Sequence, residues 1–166
     1  MTTDLDTILT EIRAHHAPRP GASAAAIAEF EHRVGWSLDD EQRAFYLACD
    51  GAALFPSPGE ARFRILPLSK IERARTAIYA RDEDDWGDPG WWVVVDVLDG
   101  DYVMIHRDRR PGGMFTLHDC GHETFHMPDF AEVVAISWID FLRRALASNG
   151  RHYWLDEKFV PPTPPQ

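Results

Sequence analysis

His122-Glu123-Thr124-Phe125-His126 spells the H-E-x-x-H string of zinc proteases. That chemistry needs both histidines one helical turn apart on one face, so that two nitrogens reach a metal at about 2.0–2.1 Å while the glutamate acts as general base. Gly121 precedes the string and Pro128 follows closely, which leaves room for barely two turns of helix. A protease is therefore not expected. A less demanding use is metal binding by some of His118, Asp119, Cys120, His122 and His126. Alternate residues of an extended chain share a face, so His118, Cys120 and His122 would converge there. A structural zinc, however, asks for four closed ligands, and no Cys-x2-Cys pair is present. The plainer uses are capping of the last helix, local bonds to backbone, or contact with a partner. No metal or other cofactor is expected; His118, Cys120, His122 and His126 stand as the candidates should one bind.

Other catalytic patterns are missing from the chain. It has no glycine-rich phosphate loop, no Gly-x-Ser-x-Gly elbow and no cysteine beside an activating base. Asp96, Asp99 and Asp101 flank a turn, where solvated carboxylates are ordinary. The segment from Arg81 to Trp92 is more pointed, with five carboxylates and three tryptophans in twelve residues. Trp91 and Trp92 lead into an apolar run and read as core. Trp86 has only acids and glycine around it. A ring supplying buried area, with carboxylates supplying steering and register, is what a hot spot facing a basic protein contains. Asp82, Glu83, Asp84, Asp85, Trp86 and Asp88, with Asp99 and Asp101 of the turn, are the expected partner-binding residues.

The bulk properties agree with a binding role. Among 166 residues, 17 are basic and 27 acidic, a net charge of −10. Such a surface repels nucleic acid and acidic membranes and attracts basic partners. Hydrophobic content of 45% suits one well-buried core. Two cysteines, Cys49 and Cys120, are too few for a disulfide framework. No basic-then-apolar leader opens the sequence, and no apolar run approaches the roughly 20 residues that cross a bilayer. A cytoplasmic protein is expected.

The elements that must hold these residues can be read in order. Leu5, Ile8, Leu9 and Ile12 make one stripe of a helix from Asp4 to about His15, stopped by Pro18-Arg19-Pro20-Gly21, which reads as a linker. Ser23 caps a second helix carrying Ile27, Phe30 and Val34 and ending at Gly35. Asp39 and Gln42 stand at capping-box spacing before a third helix with Phe45, Tyr46 and Cys49, closed by Asp50-Gly51. Phe55-Pro56-Ser57-Pro58-Gly59 reads as a loop and Arg62 to Leu66 as a strand. Ser69-Lys70-Ile71-Glu72 reads as a capping box starting a helix to Tyr79. Trp91 to Val97 suits a strand buried on both faces, Asp99-Gly100 a hairpin turn, and Tyr102 to His106 the return strand. Arg107 to Gly113 is a polar loop, Met114 to His118 a third strand, and Ser137 to Ala147 a closing helix. The expected fold class is α+β, an antiparallel meander packed against N-terminal and C-terminal helices. The expected divisions are an N-terminal helix and linker over 1–20, one domain over 21–155, and an extended Pro-rich tail over 156–166.

Ile27-x3-Glu31-x2-Val34-Gly35-Trp36-Ser37-Leu38, then Phe45 and Asp50-Gly51, resembles the opening of the SUKH superfamily, the Smi/Knr-like proteins. Ile65-Leu66-Pro67-Leu68 is similar to the family's strand-to-helix step. Trp92-Val93-Val94-Val95-Asp96 with Gly100-Asp101-Tyr102 is similar to its central hairpin, and Ala135-x-Ser137-Trp138-x2-Phe141-Leu142 to its last helix. The resemblance covers about residues 24–147. Asp39 stands where the family usually has proline, and Asp50-Gly51-Ala52 where it usually has Asn-Gly-Gly; both replacements keep the helix start and the turn. The resemblance implies a non-catalytic immunity protein that binds and neutralises a cognate bacterial toxin, for example a nuclease with a basic groove. The toxin would be blocked sterically and electrostatically by a monomer or weak homodimer that touches neither nucleic acid nor membrane. The alternatives are a Smi/Knr-like regulatory scaffold using its tail and N-terminal helix as contact points, and a metal-binding protein built on the His118–His126 segment.

Overall fold

The protein is represented by a computed structural model that describes residues 2–56, 61–127 and 131–165. Its centre is the hairpin of β5 (Trp91–Asp96) and β6 (Tyr102–His106), in antiparallel register from Trp91↔His106 to Asp96↔Tyr102. Leu98, Asp99 and Gly100 all take positive φ at the tip, where the Asp101 N–H donates to the Leu98 carbonyl at 2.9 Å. The register shifts between Val93 and Val95. That bulge explains the unbroken apolar run: Trp91 and Val93 enter one cluster, while Trp92, Val94 and Val95 enter the other.

Around the hairpin the sheet adds β1 (Ala17–Pro18), β2 (Ala52–Pro56), β3 (Ala61–Ile65), β4 (Glu72–Arg73), β7 (Leu117–Cys120) and β8 (Val133–Ala135). The order is β1-β2-β3-β5-β6-β7-β8, with β4 also on β5. Every pairing is antiparallel. The helices are α1 (Thr2–His15), α2 (Ala24–Val34), α3 (Asp40–Ala48), α4 (Ala74–Tyr79) and α5 (Trp138–Ala147). The expected α+β class is therefore the observed one.

Four helices build the main core against one face of the sheet. Ile12, Ile27, Phe45, Phe141 and Leu142 meet Leu54, Phe63, Val95 and Leu117 there. Each such side chain removed from water contributes about 1.5–3 kcal/mol. Trp36 sits edge-on to Phe30, Trp92 and Phe115, tying the α2–α3 corner to the sheet. The caps form as the sequence predicts: the Ala26 N–H donates to Ser23 Oγ, Gly35 ends α2 in the left-handed region, and Asp39 and Gln42 make a reciprocal capping box. The other face of the sheet carries a smaller cluster of Ala74, Trp91, Val93, Met104, Cys120 and Phe125 beneath α4.

Three local expectations give way to sheet pairing, a strand starts later than expected, and one further short strand is present. Where a linker was expected, Ala17 and Pro18 pair with Ala53 and Ala52. Phe55 and Pro56 belong to β2 rather than to a loop. Pro56, which lacks an N–H, lies beyond the stretch paired with β1, while Phe55 takes φ 54°; Ser57, Pro58 and Gly59 lie outside the described residues. The Ser69–Glu72 box does not start a helix, because Ile71 is buried and Glu72 and Arg73 pair with Val93 and Trp92, delaying α4 to Ala74. The third strand begins at Leu117 rather than Met114, since the Phe115 N–H is held by the Asp39 carboxylate at 2.9 Å. Val133–Ala135, too short to show a period, forms β8.

Candidate partner-binding surface

α4 ends at Ala80 in the left-handed region, and the acidic segment then folds around a guanidinium. The Arg75 side chain is 4% exposed. It donates from Nε to Asp82 at 2.8 Å, and from Nη1 to Asp84 at 3.1 Å and to the Gly87 carbonyl at 3.0 Å. Arg73 adds a second guanidinium on Asp82 at 2.8 Å. These hydrogen bonds hold the Asp82 carboxyl below its ordinary range. Asp88 accepts from the Gly90 N–H at 2.7 Å and lies 3.0 Å from His106 Nε2. Burial opposes its ionisation, but these partners outweigh burial and its carboxyl also lies low. Asp101 accepts the His122 backbone N–H at 2.8 Å and faces Nδ1 at 2.7 Å, which raises the His122 imidazole above its ordinary value.

Half of the expected partner-binding set thus has internal duties: Asp82, Asp84, Asp88 and Asp101. Glu83, Asp85 and Asp99 are exposed, and among the described residues their carboxylates have no hydrogen-bond or ion-pair partner. Trp86 is 41% exposed and does not stand alone. Its ring lies 5.3 Å from Tyr79 at 49°, and Arg81 sits 5.9 Å over it. Tyr79 is in turn 6.1 Å from buried Phe125, and its hydroxyl is 3.4 Å from His126 Nδ1. Gly87 passes so close to the Phe125 ring that a Cβ there would come within 2.6 Å. Met127, 50% exposed, continues the same turn. The acidic loop and the histidine-rich turn, separate features of the sequence, therefore form one surface through Tyr79 and Phe125. Nothing in the acidic segment itself flags either residue; the signal lies in the spacing that puts Tyr79 at the end of α4.

The histidine-rich segment is a turn rather than a helix, as Gly121 predicts; Pro128 lies outside the described residues. His118 is buried against Trp91, with Nε2 2.9 Å from Thr116 Oγ1 and Nδ1 3.0 Å from the Ala131 carbonyl. Burial lowers its basicity. Cys120 lies in the smaller core cluster, where burial pushes its thiol up. His122 is held by Asp101 and His126 by Tyr79. The backbone does not stay extended through this segment, and among the described residues no three His, Cys, Asp or Glu side chains are grouped to hold a metal.

The architecture is that of an α+β domain whose distinctive chemistry is an open, carboxylate-rich aromatic surface. The model of the SMI1 / KNR4 family (SUKH-1) matches residues 21–144, and the chain belongs to that family. The immunity protein YokJ of Bacillus subtilis (strain 168) is 28% identical over 122 residues, covering 70% of this chain and 69% of YokJ. No helix among the described residues is long and apolar enough to cross a membrane.

Proposed function

We propose that the protein is a non-catalytic immunity protein that binds a cognate bacterial toxin and blocks it sterically and electrostatically. Family membership and the likeness to an immunity protein support the role. The single observation that carries the choice of surface is Trp86, half-exposed on a Tyr79–Phe125 platform beside the unpaired carboxylates of Glu83 and Asp85. A ring backed by packed aromatics loses little freedom on binding, and free carboxylates steer a basic partner towards it. Against a nuclease, Glu83, Asp85 and Asp99 would stand where substrate phosphates lie, and a net charge of −10 would speed encounter at low salt.

The test is association kinetics with the cognate toxin. Glu83→Ala/Asp85→Ala should slow association severalfold at low ionic strength and flatten its salt dependence. Unchanged association would remove this loop from the interface.

A further inference from the structure

Against the main core, away from the acidic loop, the surface has the opposite character. α5 ends in an Asn149-Gly150 turn with both residues at positive φ. Gly150 brings that turn within contact of β3: a Cβ there would lie 3.0 Å from Arg62 Cγ and 3.3 Å from the Phe55 ring. The chain then doubles back through a short 3-10 turn, Tyr153–Leu155, and the fold leaves a groove on each side of it. One, of about 520 Å³, runs between Arg144, Tyr153, Leu155, Asp156 and Phe159. The other, of about 340 Å³, lies between Arg62, Arg151 and Leu155. Arg151, His152 and Leu155 line both, so the two adjoin.

Three features say what fits. Among the described residues Arg62 and Arg151 have no carboxylate partner, and Arg151 donates from Nε to the Ser148 carbonyl at 3.2 Å. Arg62 and Arg151, set against the single carboxylate of Asp156, leave the joined lining positive on a chain of net charge −10, suited to capture of carboxylates. Leu155, 69% exposed, stands between the grooves with Phe159 beyond it, giving apolar contacts spaced among the cations. His152, which lines both grooves, stacks on Trp154 at 5.2 Å and 5°.

We propose that this groove is a second docking surface, and that it takes an extended polypeptide segment in which acidic and apolar side chains alternate. Its carboxylates pair with Arg62 and Arg151, and its apolar side chains pack on Leu155 and Phe159. This surface is separate from the acidic one, so the protein would bridge two partners or grip one partner at two places.

The probe is a fluorescein-labelled twelve-residue peptide of alternating Glu and Leu, followed by anisotropy with the full chain, beside a Lys/Leu peptide and a twelve-nucleotide RNA. The Glu/Leu peptide should bind in the micromolar range. Arg62→Glu/Arg151→Glu and Leu155→Ser should each weaken it at least tenfold, at unchanged thermal midpoint, and 0.5 M salt should weaken it similarly. Absence of binding, equal binding of the Lys/Leu peptide or the RNA, or binding indifferent to these substitutions would overturn the proposal. So would a concentration-dependent dimer in sedimentation that Arg62→Glu/Arg151→Glu dissolves, because the occupant would then be a second copy.

Discussion

Arg75 Nε donates to Asp82 Oδ1 at 2.8 Å, and the two side chains are unequal: the guanidinium is 4% exposed and the carboxylate 52%. Asp82 is therefore the counter-charge of a buried cation, whatever else the loop does. Asp82→Ala leaves Arg75 with Asp84 and two carbonyls, at a cost of about 1–3 kcal/mol. Glu83→Ala and Asp85→Ala, which break no contact, should fall within about 0.5 kcal/mol of the parent. Urea unfolding of the three variants separates them; equal midpoints would show that Arg75 does not depend on Asp82. The low Asp82 pKa also sets a pH sign. Its stabilisation is present above the ordinary aspartate value of about 3.9 and is lost as pH falls through the lowered folded value.

That pairing shows where sequence reasoning reaches its limit. Trp86, the hairpin and four of the five helices follow from spacing, caps and β-branched runs within a few residues of one another. Asp82 cannot be told from Glu83 or Asp85 in the sequence, because the difference is made by Arg73 and Arg75 arriving from β4 and α4. β1, β4 and β8 are illegible for a related reason: two or three residues carry too little periodicity to mark a strand. The ligand atoms are the visible feature of the His118–His126 segment, yet Phe125, buried there along with His118 and Cys120, is what attaches that turn to the acidic loop.

Glu41 supplies a long-range cap. Its carboxylate accepts the Ile139 N–H of α5 at 2.8 Å, and the residue is 8% exposed. One of the first N–H groups of a helix is thereby satisfied by another helix, with negative charge at the positive end of the dipole. Glu41→Ala should cost about 1–3 kcal/mol, the range for a buried donor left unpaired. Glu41→Gln keeps an acceptor and should lose less. Chemical denaturation of both variants checks the ordering, and equal losses would mean that packing rather than the hydrogen bond is what Glu41 contributes.

His118 should make the protein acid-sensitive. Burial lowers its folded pKa beneath the ordinary value of about 6.5, with Arg109 and His106 adding to the effect and the Ala131 carbonyl opposing it. The unfolded chain therefore takes up the proton first, and stability falls as pH drops from about 6.5 towards the lowered folded value. His122 acts in the opposite sense: its bond to Asp101 raises its pKa, so its contribution is present at low pH and fades as pH rises through the raised value. The urea midpoint of the parent should decline between pH 6.5 and 5 more steeply than that of His118→Gln. Parallel declines would place the acid sensitivity elsewhere.

Trp86 should govern how long the complex lasts rather than how fast it forms. Its ring carries no net charge, so truncation leaves electrostatic steering intact, while the area packed between Tyr79 and a partner disappears. Hot-spot tryptophans cost about 2 kcal/mol or more on truncation, roughly a thirtyfold increase in dissociation rate. Trp86→Ala should therefore dissociate from the cognate toxin at least tenfold faster with association within twofold of the parent. Glu83→Ala/Asp85→Ala should show the reverse division. Because Trp86 is 41% exposed in the free protein, the thermal midpoint should move little, which separates lost binding from lost folding. A Trp86→Ala complex with the parent's lifetime would move the interface off the Tyr79–Phe125 platform.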